Sequence, residues 1–82
     1  MKPKIGRIVH FVQKDKNGNN IHLPAIIVAI WSDTCVNLQV FTDGTNSEPN
    51  LGYGPSIKWF TSSTFDDSNE PQIASWHWPE KE

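Results

Sequence analysis

The stretch AIIVAIWSDTCVNLQVF, residues 25–41, decides the fold class. Residues 25–31 are wholly apolar, which is expected of the most buried strand in a small domain. After the polar SDT connection, the pattern changes to a period of two that places Val36, Leu38 and Val40 on one face. Two such runs with so short a connection form an antiparallel hairpin. The sequence therefore predicts a β-hairpin at the centre of the domain.

Short apolar runs separated by glycine and proline continue on both sides of this hairpin. Residues 5–13, IGRIVHFVQ, predict a first strand with apolar groups on both faces, and Asn17-Gly18 after it favours a type I′ turn. Pro24 lacks a backbone N–H, so we expect it at the beginning of the second strand or on an edge. Residues 56–61, SIKWFT, predict a fourth strand.

The last eight residues of the sequence, 75–82, are SWHWPEKE. At strand spacing, Trp76 and Trp78 share one face and His77 points the other way. A last strand that pairs beside the first would let both tryptophans cover the core. The sequence therefore predicts one all-β domain over residues 1–82, a small five-stranded SH3-like barrel.

Length and cysteine content limit how such a domain is stabilised. A chain of 82 residues buries only about 60–65% of its unfolded surface, and Cys35 is the only cysteine, so no disulfide forms within the chain. Self-association is the remaining aid to stability, and we expect a homo-oligomer. The single thiol is typical of a reducing compartment.

Charge and hydropathy restrict the classes of partner. Seven basic residues stand against nine acidic ones, which argues against a non-specific nucleic-acid binder, although Lys2, Lys4 and Arg7 cluster at the start. No apolar run approaches 18 residues, so no membrane partner is expected. The amino terminus lacks the apolar segment of a signal peptide, which favours a cytosolic protein.

Three segments together resemble a group of small uncharacterised bacteriophage proteins: GRIVHF, AIIVAIWSDTCVNLQVFTDG and SWHWPEK. The resemblance covers most of the chain except the loops 42–55 and 61–72, and the tail is its most specific part. It implies a phage origin and a location in the host bacterial cytoplasm. It carries no catalytic residues. By analogy with compact phage homo-oligomers that sequester nucleotide immune signals, it also implies a binding role.

Catalytic and metal sites receive little support from the residue pattern. His10, His22 and His77 come from three strands, yet no two stand at a ligand spacing and no cysteine cluster accompanies them. We therefore expect surface or hydrogen-bonded histidines and no metal. There is no nucleophile elbow, phosphate loop or histidine-glutamate metal motif, so we expect no enzyme and no cofactor.

Aromatic and selected polar side chains favour ligand binding instead. Nucleotide bases stack on aromatic rings, and a core this small can hardly hide four tryptophans and four phenylalanines. Arg7 is expected either to bind phosphate or to form an ion pair at the barrel rim. The predicted ligand-binding residues are Arg7, His10, Tyr53, Lys58, Trp59, Trp76 and His77.

Two features limit this set. Lys58 and Trp59 are adjacent in a strand, so they face opposite ways and cannot both line one pocket of one subunit. Tyr53 lies between two glycines in the long loop 42–55, where its ring would close over a ligand or pack on the surface.

Three functional hypotheses follow. The first is a phage sponge that sequesters a nucleotide-type immune signal without turnover. The second is an SH3-like protein-interaction module that acts on a host or virion protein. The third is a nucleic-acid binder that uses the lysine-rich start, against which the acidic balance argues.

Overall fold

The computed structural model describes residues 2–14, 17–42 and 56–79. Over these residues the chain forms five strands and no helix: β1 (Ile8–Lys14), β2 (Asn20–Ile30), β3 (Cys35–Thr42), β4 (Ser56–Thr64) and β5 (Trp76–His77). They make one antiparallel sheet in the order β4-β3-β2-β1-β5. The predicted all-β class is confirmed. The sheet is not closed, and β4 and β5 are its two edges.

Nothing in the described part of the chain is both helical and apolar over a length that would cross a membrane.

The predicted central hairpin is formed by β2 and β3, and its turn is held by local hydrogen bonds. The backbone N–H groups of Trp31 and Ser32 both donate to the Cys35 carbonyl, at 2.9 and 3.1 Å. The Ser32 hydroxyl in turn accepts the N–H groups of Thr34 and Cys35. These bonds satisfy the polar groups of the SDT connection and bring the chain directly back along β2.

The expectation that residues 25–31 form the most buried strand is wrong. Ile27 is fully buried, but Ile30 and Trp31 are 38% and 66% exposed, while Val36, Leu38 and Val40 of β3 are all fully buried. The alternate residues of β2 lie on the outer face of the sheet, opposite the core, where they are only partly covered. Periodicity alone does not reveal this, because a wholly apolar run has none.

Pro24 lies inside β2 rather than at its beginning. It pairs with His10 of β1, and pairing with β3 begins one residue later, at Ala25. The missing N–H of Pro24 therefore falls where the ladder to β3 has not yet started. Gly18, after β1, has a φ of +84°, which is the left-handed conformation that the Asn17-Gly18 pair favours.

A bulge between β3 and β4 is organised by one buried amide. The register shifts between Val36 and Leu38, so that Asn37 faces two residues of β4, Thr61 and Ser62. Asn37 is 7% exposed, and its Oδ1 accepts the Trp31 indole N–H, the Thr61 hydroxyl and the Ser62 backbone N–H, each at 2.9 Å. Ser62 has a φ of +56°, a costly conformation for a residue with a Cβ, which this hydrogen bond stabilises.

The core lies on the inner face of the sheet, where nine buried apolar residues form one cluster, and the fully buried Val12 lies outside it. Its members are Val9, Phe11, Leu23, Ala25, Ile27, Val36, Leu38, Val40 and Trp76. Trp76 pairs with Phe11 across β1 and β5, and its indole N–H donates to the Thr34 carbonyl at 3.1 Å. Trp78 packs against the same cluster, with its ring 5.3 Å from that of Trp76. The predicted placement of the tail beside the first strand is confirmed.

The two edges of the sheet approach each other just after β4. An isolated parallel bridge joins Phe65 to Trp76, and the Asp66 N–H donates to the Trp76 carbonyl at 2.9 Å. Farther along the chain, the Ala74 N–H donates to the Val12 carbonyl at 2.8 Å, and the Val12 N–H donates to the Ser75 carbonyl at 3.0 Å. Residues 66–75 are thereby held beside the end of β1, next to the side chains of the candidate site.

Candidate functional site: a histidine cluster and its groove

Strand register brings three histidines together on the outer face of the sheet. His10 of β1 is directly paired with His77 of β5. On the other side, β1 pairs with β2 so that His10 faces Pro24, and His22 is the diagonal neighbour on the same face. Three residues that are 12 and 55 positions apart along the chain thus become neighbours in space.

The nitrogen atoms of this histidine cluster (His10, His22 and His77) lie close enough to share a ligand. One ring nitrogen from each residue lies within 4.8 Å of the other two. The ring centroids are 5.7 Å apart for His10–His22, 5.5 Å for His10–His77 and 4.7 Å for His22–His77, all edge to face. His22 is exposed, His10 is half-buried and His77 is 5% exposed, so the cluster opens to solvent on the His22 side.

One nitrogen of the cluster has an unmet hydrogen-bonding capacity. Nδ1 of His10 is buried and has no hydrogen-bond partner among residues 2–14, 17–42 and 56–79. Buried polar atoms nearly always have a hydrogen-bond partner in the protein, a bound water molecule or a bound ion. We therefore expect this nitrogen to bind water or an ion.

A groove begins beside the histidine cluster. This histidine groove has a volume of about 530 Å³ and is lined by His22, Asp67, Ser68, Asn69, Pro71, His77 and Trp78. Its size lies within the range of small-ligand sites. It combines a half-buried indole with hydroxyl, amide and imidazole groups, which are the side chains that stack on and hydrogen-bond to a heteroaromatic ligand.

The wall of the groove is shaped by Asp66. Its carboxylate accepts the backbone N–H groups of Ser68 and Gln72, at 3.1 and 3.0 Å. A hydrogen bond from the Ser68 side chain, these two backbone bonds and, to a smaller extent, the charge of His77 hold the pKa of Asp66 below its ordinary value of 3.8. The carboxylate is therefore ionised at neutral pH and holds residues 66–72 in a closed turn.

A second groove lies on the other side of Trp78. This tryptophan groove has a volume of about 420 Å³ and is lined by Lys2, Asp33, Thr34, Phe65, Asp67, Trp76 and Trp78. Asp67 and Trp78 line both grooves. The Trp78 indole is therefore accessible from two sides, although it also packs on the core.

The structure brings together only part of the ligand-binding set predicted from the sequence. His10 and His77 meet in the histidine cluster, and Trp76 is buried in the core and lines the tryptophan groove. Arg7 is exposed before β1 and lines neither groove. Tyr53 lies outside the described residues.

Lys58 and Trp59 lie on β4, the edge opposite β5. Lys58 is half-buried and Trp59 is 60% exposed on the other face, as strand alternation predicts. They do not contribute to the histidine groove or the tryptophan groove.

Sequence reasoning omitted His22, Asp67 and Trp78 from the ligand-binding set. The three histidines lack a metal-ligand spacing along the chain, and the strand pairings bring them together in space. The alternation of β1 and β5 did contain a partial signal, because it places His10 and His77 on the face opposite Phe11 and Trp76.

Comparison with known proteins identifies no relative: no family model, no curated protein and no solved structure matches the chain. What the site binds therefore follows from its own chemistry.

Proposed function

We propose that this chain is a non-catalytic binding protein whose small, nucleotide-type ligand occupies the histidine groove. The observation that carries the proposal is the composition of that groove, in which Trp78 offers a stacking face beside His22, Ser68, Asn69 and His77. A base on the indole and hydrogen bonds from the hydroxyl, amide and imidazole groups would use the neutral polar groups of the lining, and Asp67 could accept a hydrogen bond from a base.

The biological role that we propose rests on the resemblance to phage proteins. In that role the protein acts in the host bacterial cytoplasm as a sponge for a nucleotide immune signal. A sponge works by mass action, so it must be abundant and bind tightly enough to keep the free signal below the threshold of its effector.

The first experiment is capture of a ligand from cells. Filtered lysate from bacteria whose nucleotide-signalling defence has been triggered is mixed with the purified protein, which is then washed and heat-denatured. We expect mass spectrometry of the released small molecules to show one unmodified nucleotide. Trp78→Ala should lower its affinity roughly 5- to 150-fold, because base stacking on an aromatic ring contributes about 1–3 kcal/mol.

Matched variants locate the site. Asn69→Ala changes an exposed residue of the groove and should also weaken binding, whereas Trp59→Ala, on the opposite edge of the sheet, should not. Loss of binding in Arg7→Ala with no effect of Trp78→Ala would place the ligand outside the groove. A chemically altered nucleotide in the lysate would identify an enzyme, and an intact, uncaptured signal would reject the sponge.

A second candidate function, protein interaction, is favoured by an outer row of four cross-strand neighbours, three of them apolar, on the face of the sheet opposite the core. Cross-strand pairing aligns Ile8 with Ile26, Ile26 with Gln39 and Gln39 with Trp59. Ile8 and Trp59 are 59% and 60% exposed. We propose that a second copy of the chain covers this outer row, which would supply the self-association expected of so small a core. The SH3-like barrel stays a proposal as well, supported by the Phe65–Trp76 bridge between the two edges.

The outer row predicts a measurable change in mass. We expect light scattering coupled to size exclusion to give a multiple of the 9.3 kDa chain, and Trp59→Glu to shift it to 9.3 kDa because a charge cannot be buried there unpaired. Ile5→Glu is the control, since Ile5 is 70% exposed but lies outside the row. A 9.3 kDa mass for the unchanged protein at all concentrations up to the millimolar range would reject self-association.

A further inference from the structure

We propose that His10, His22 and His77 form a site for a single Zn²⁺-type transition-metal ion, with one coordination position open to the histidine groove. The donor set decides the class of metal. Neutral imidazole nitrogens bind zinc, copper, nickel and cobalt, whereas magnesium and calcium require oxygen ligands.

The distances are close to those of a bound ion. In a tetrahedral site with Zn–N bonds of about 2.0–2.1 Å, ligand nitrogens lie about 3.4 Å apart. The cluster nitrogens already lie within 4.8 Å of one another. Ring rotations that move each nitrogen by about an ångström would complete the site.

The backbone places the three ligands before any ion binds. His10 and His77 are fixed by direct pairing of β1 with β5, and His22 by the β1–β2 register. Because each ligand lies on a strand and not on a loop, little conformational entropy remains to be lost on binding. A metal bound through Nδ1 of His10 would also satisfy this buried nitrogen.

The number of ligands sets the kind of site. Within the described residues, the group of close donor atoms contains three histidines and no cysteine or carboxylate. A structural zinc site has four protein ligands, whereas three protein ligands leave a fourth position for water or an exogenous ligand. His22 and His77 both line the histidine groove, so that position faces it.

The charges of the groove indicate what the open position binds. Among the residues that the structure describes, Asp67 lines the groove and no lysine or arginine does, and the ionised Asp66 lies beside it. Without an ion, this surface repels a phosphate or carboxylate. A divalent cation on the histidines reverses the local sign and would hold an oxyanion there. This step alone rests on the proposed function, in which the ligand bears phosphate.

The test uses the full, untagged 82-residue chain, because a histidine tag would bind metal itself. The protein is freed of metal with a chelator and titrated with Co²⁺, whose visible absorption is intense in four-coordinate sites and weak in six-coordinate ones. We expect one equivalent to bind with the intense spectrum and Zn²⁺ to displace it. His22→Ala should weaken binding about 100-fold or more, since even changes to groups behind the ligands cost 10- to 100-fold.

His22 is exposed, so His22→Ala tests the site without removing a core side chain, and circular dichroism confirms its fold. His10→Gln is the second ligand variant. Cys35→Ser is the control, because Cys35 is the only thiol and lies outside the cluster. Binding that survives His22→Ala and His10→Gln, or that is lost in Cys35→Ser, would overturn the site. Failure of the unchanged protein to bind Co²⁺ or Zn²⁺ would do so too.

The open position has its own readout. Inorganic phosphate added to the Co²⁺-loaded protein should change the visible spectrum with saturation at one equivalent. A four-coordinate site with no response to phosphate would overturn the open position while leaving the metal site standing. Capture of a nucleotide by chelator-treated protein would show that the groove binds the nucleotide without the ion. The proposed function would then stand, and the role of the metal in holding an oxyanion would be overturned.

Discussion

Trp76→Ala is expected to lower the free energy of unfolding by about 3–5 kcal/mol. Trp76 is 1% exposed and is the largest fully buried side chain among the described residues. Its loss leaves a cavity between Phe11 and Phe65 and deprives the Thr34 carbonyl of the indole N–H that it accepts. It also removes the packing partner that joins the tail to the core.

That loss is large for a chain of this length. Domains of this size are stable by roughly 4–12 kcal/mol, so the variant would retain little stability, and its melting temperature should fall by about 15–35 °C. Denaturant titration followed by circular dichroism measures the change. Ile5→Ala is the control, because it truncates an apolar side chain that is 70% exposed and lies outside the outer row, and it should cost less than about 1 kcal/mol. Equal losses in the two variants would show that β5 does not close the core.

Asn37→Ala is expected to lower the free energy of unfolding by about 2–4 kcal/mol, more than a typical polar substitution does. The amide oxygen accepts three hydrogen bonds at once, and its removal leaves the Trp31 indole N–H, the Thr61 hydroxyl and the Ser62 N–H without it. The bulge opposite Asn37 would then lose the contact that stabilises the positive φ of Ser62.

The control for this variant lies two residues away. Gln39 is exposed on the same strand, and Gln39→Ala should change stability by no more than about 0.5 kcal/mol. Hydrogen exchange adds a local readout: the Ser62 amide should lose protection in Asn37→Ala and keep it in Gln39→Ala. A neutral effect of Asn37→Ala would mean that the bulge is held by the strand ladders alone.

Local patterns predicted most of the strands. The period-two run after Cys35 predicted the buried face of β3 correctly, because apolar and polar residues alternate on a strand that has one face in the core and one in solvent. The tail was also predicted correctly, because two tryptophans at strand spacing have one favourable arrangement on a small core. The exposure of Ile30 and Trp31 was not predicted, because an unbroken apolar run carries no information about faces.

The candidate site depended on a different kind of information. His10 and His77 could be placed on one face from alternation, but no rule of spacing brings His22 to them. Their meeting depends on the registers of β1 with β2 and of β1 with β5. A slip of one residue in either register would move every side chain of a strand to the other face. Composition favoured both Arg7 and Trp59 as ligand contacts. Trp59 lies on β4 at the far edge of the sheet, and Arg7 precedes β1 but lines neither groove.

By itself, the sequence determined the all-β class, the β2–β3 turn, the left-handed Gly18 and the inward faces of β3 and the tail. These depend on hydrophobic alternation and on backbone preferences of glycine, asparagine and proline, which act between neighbours in the chain. Only the tertiary structure decided that three histidines share a site, that a groove opens beside them and that Asn37 holds a bulge. Those features depend on contacts between distant segments, and strand pairing across the whole sheet is what sets them.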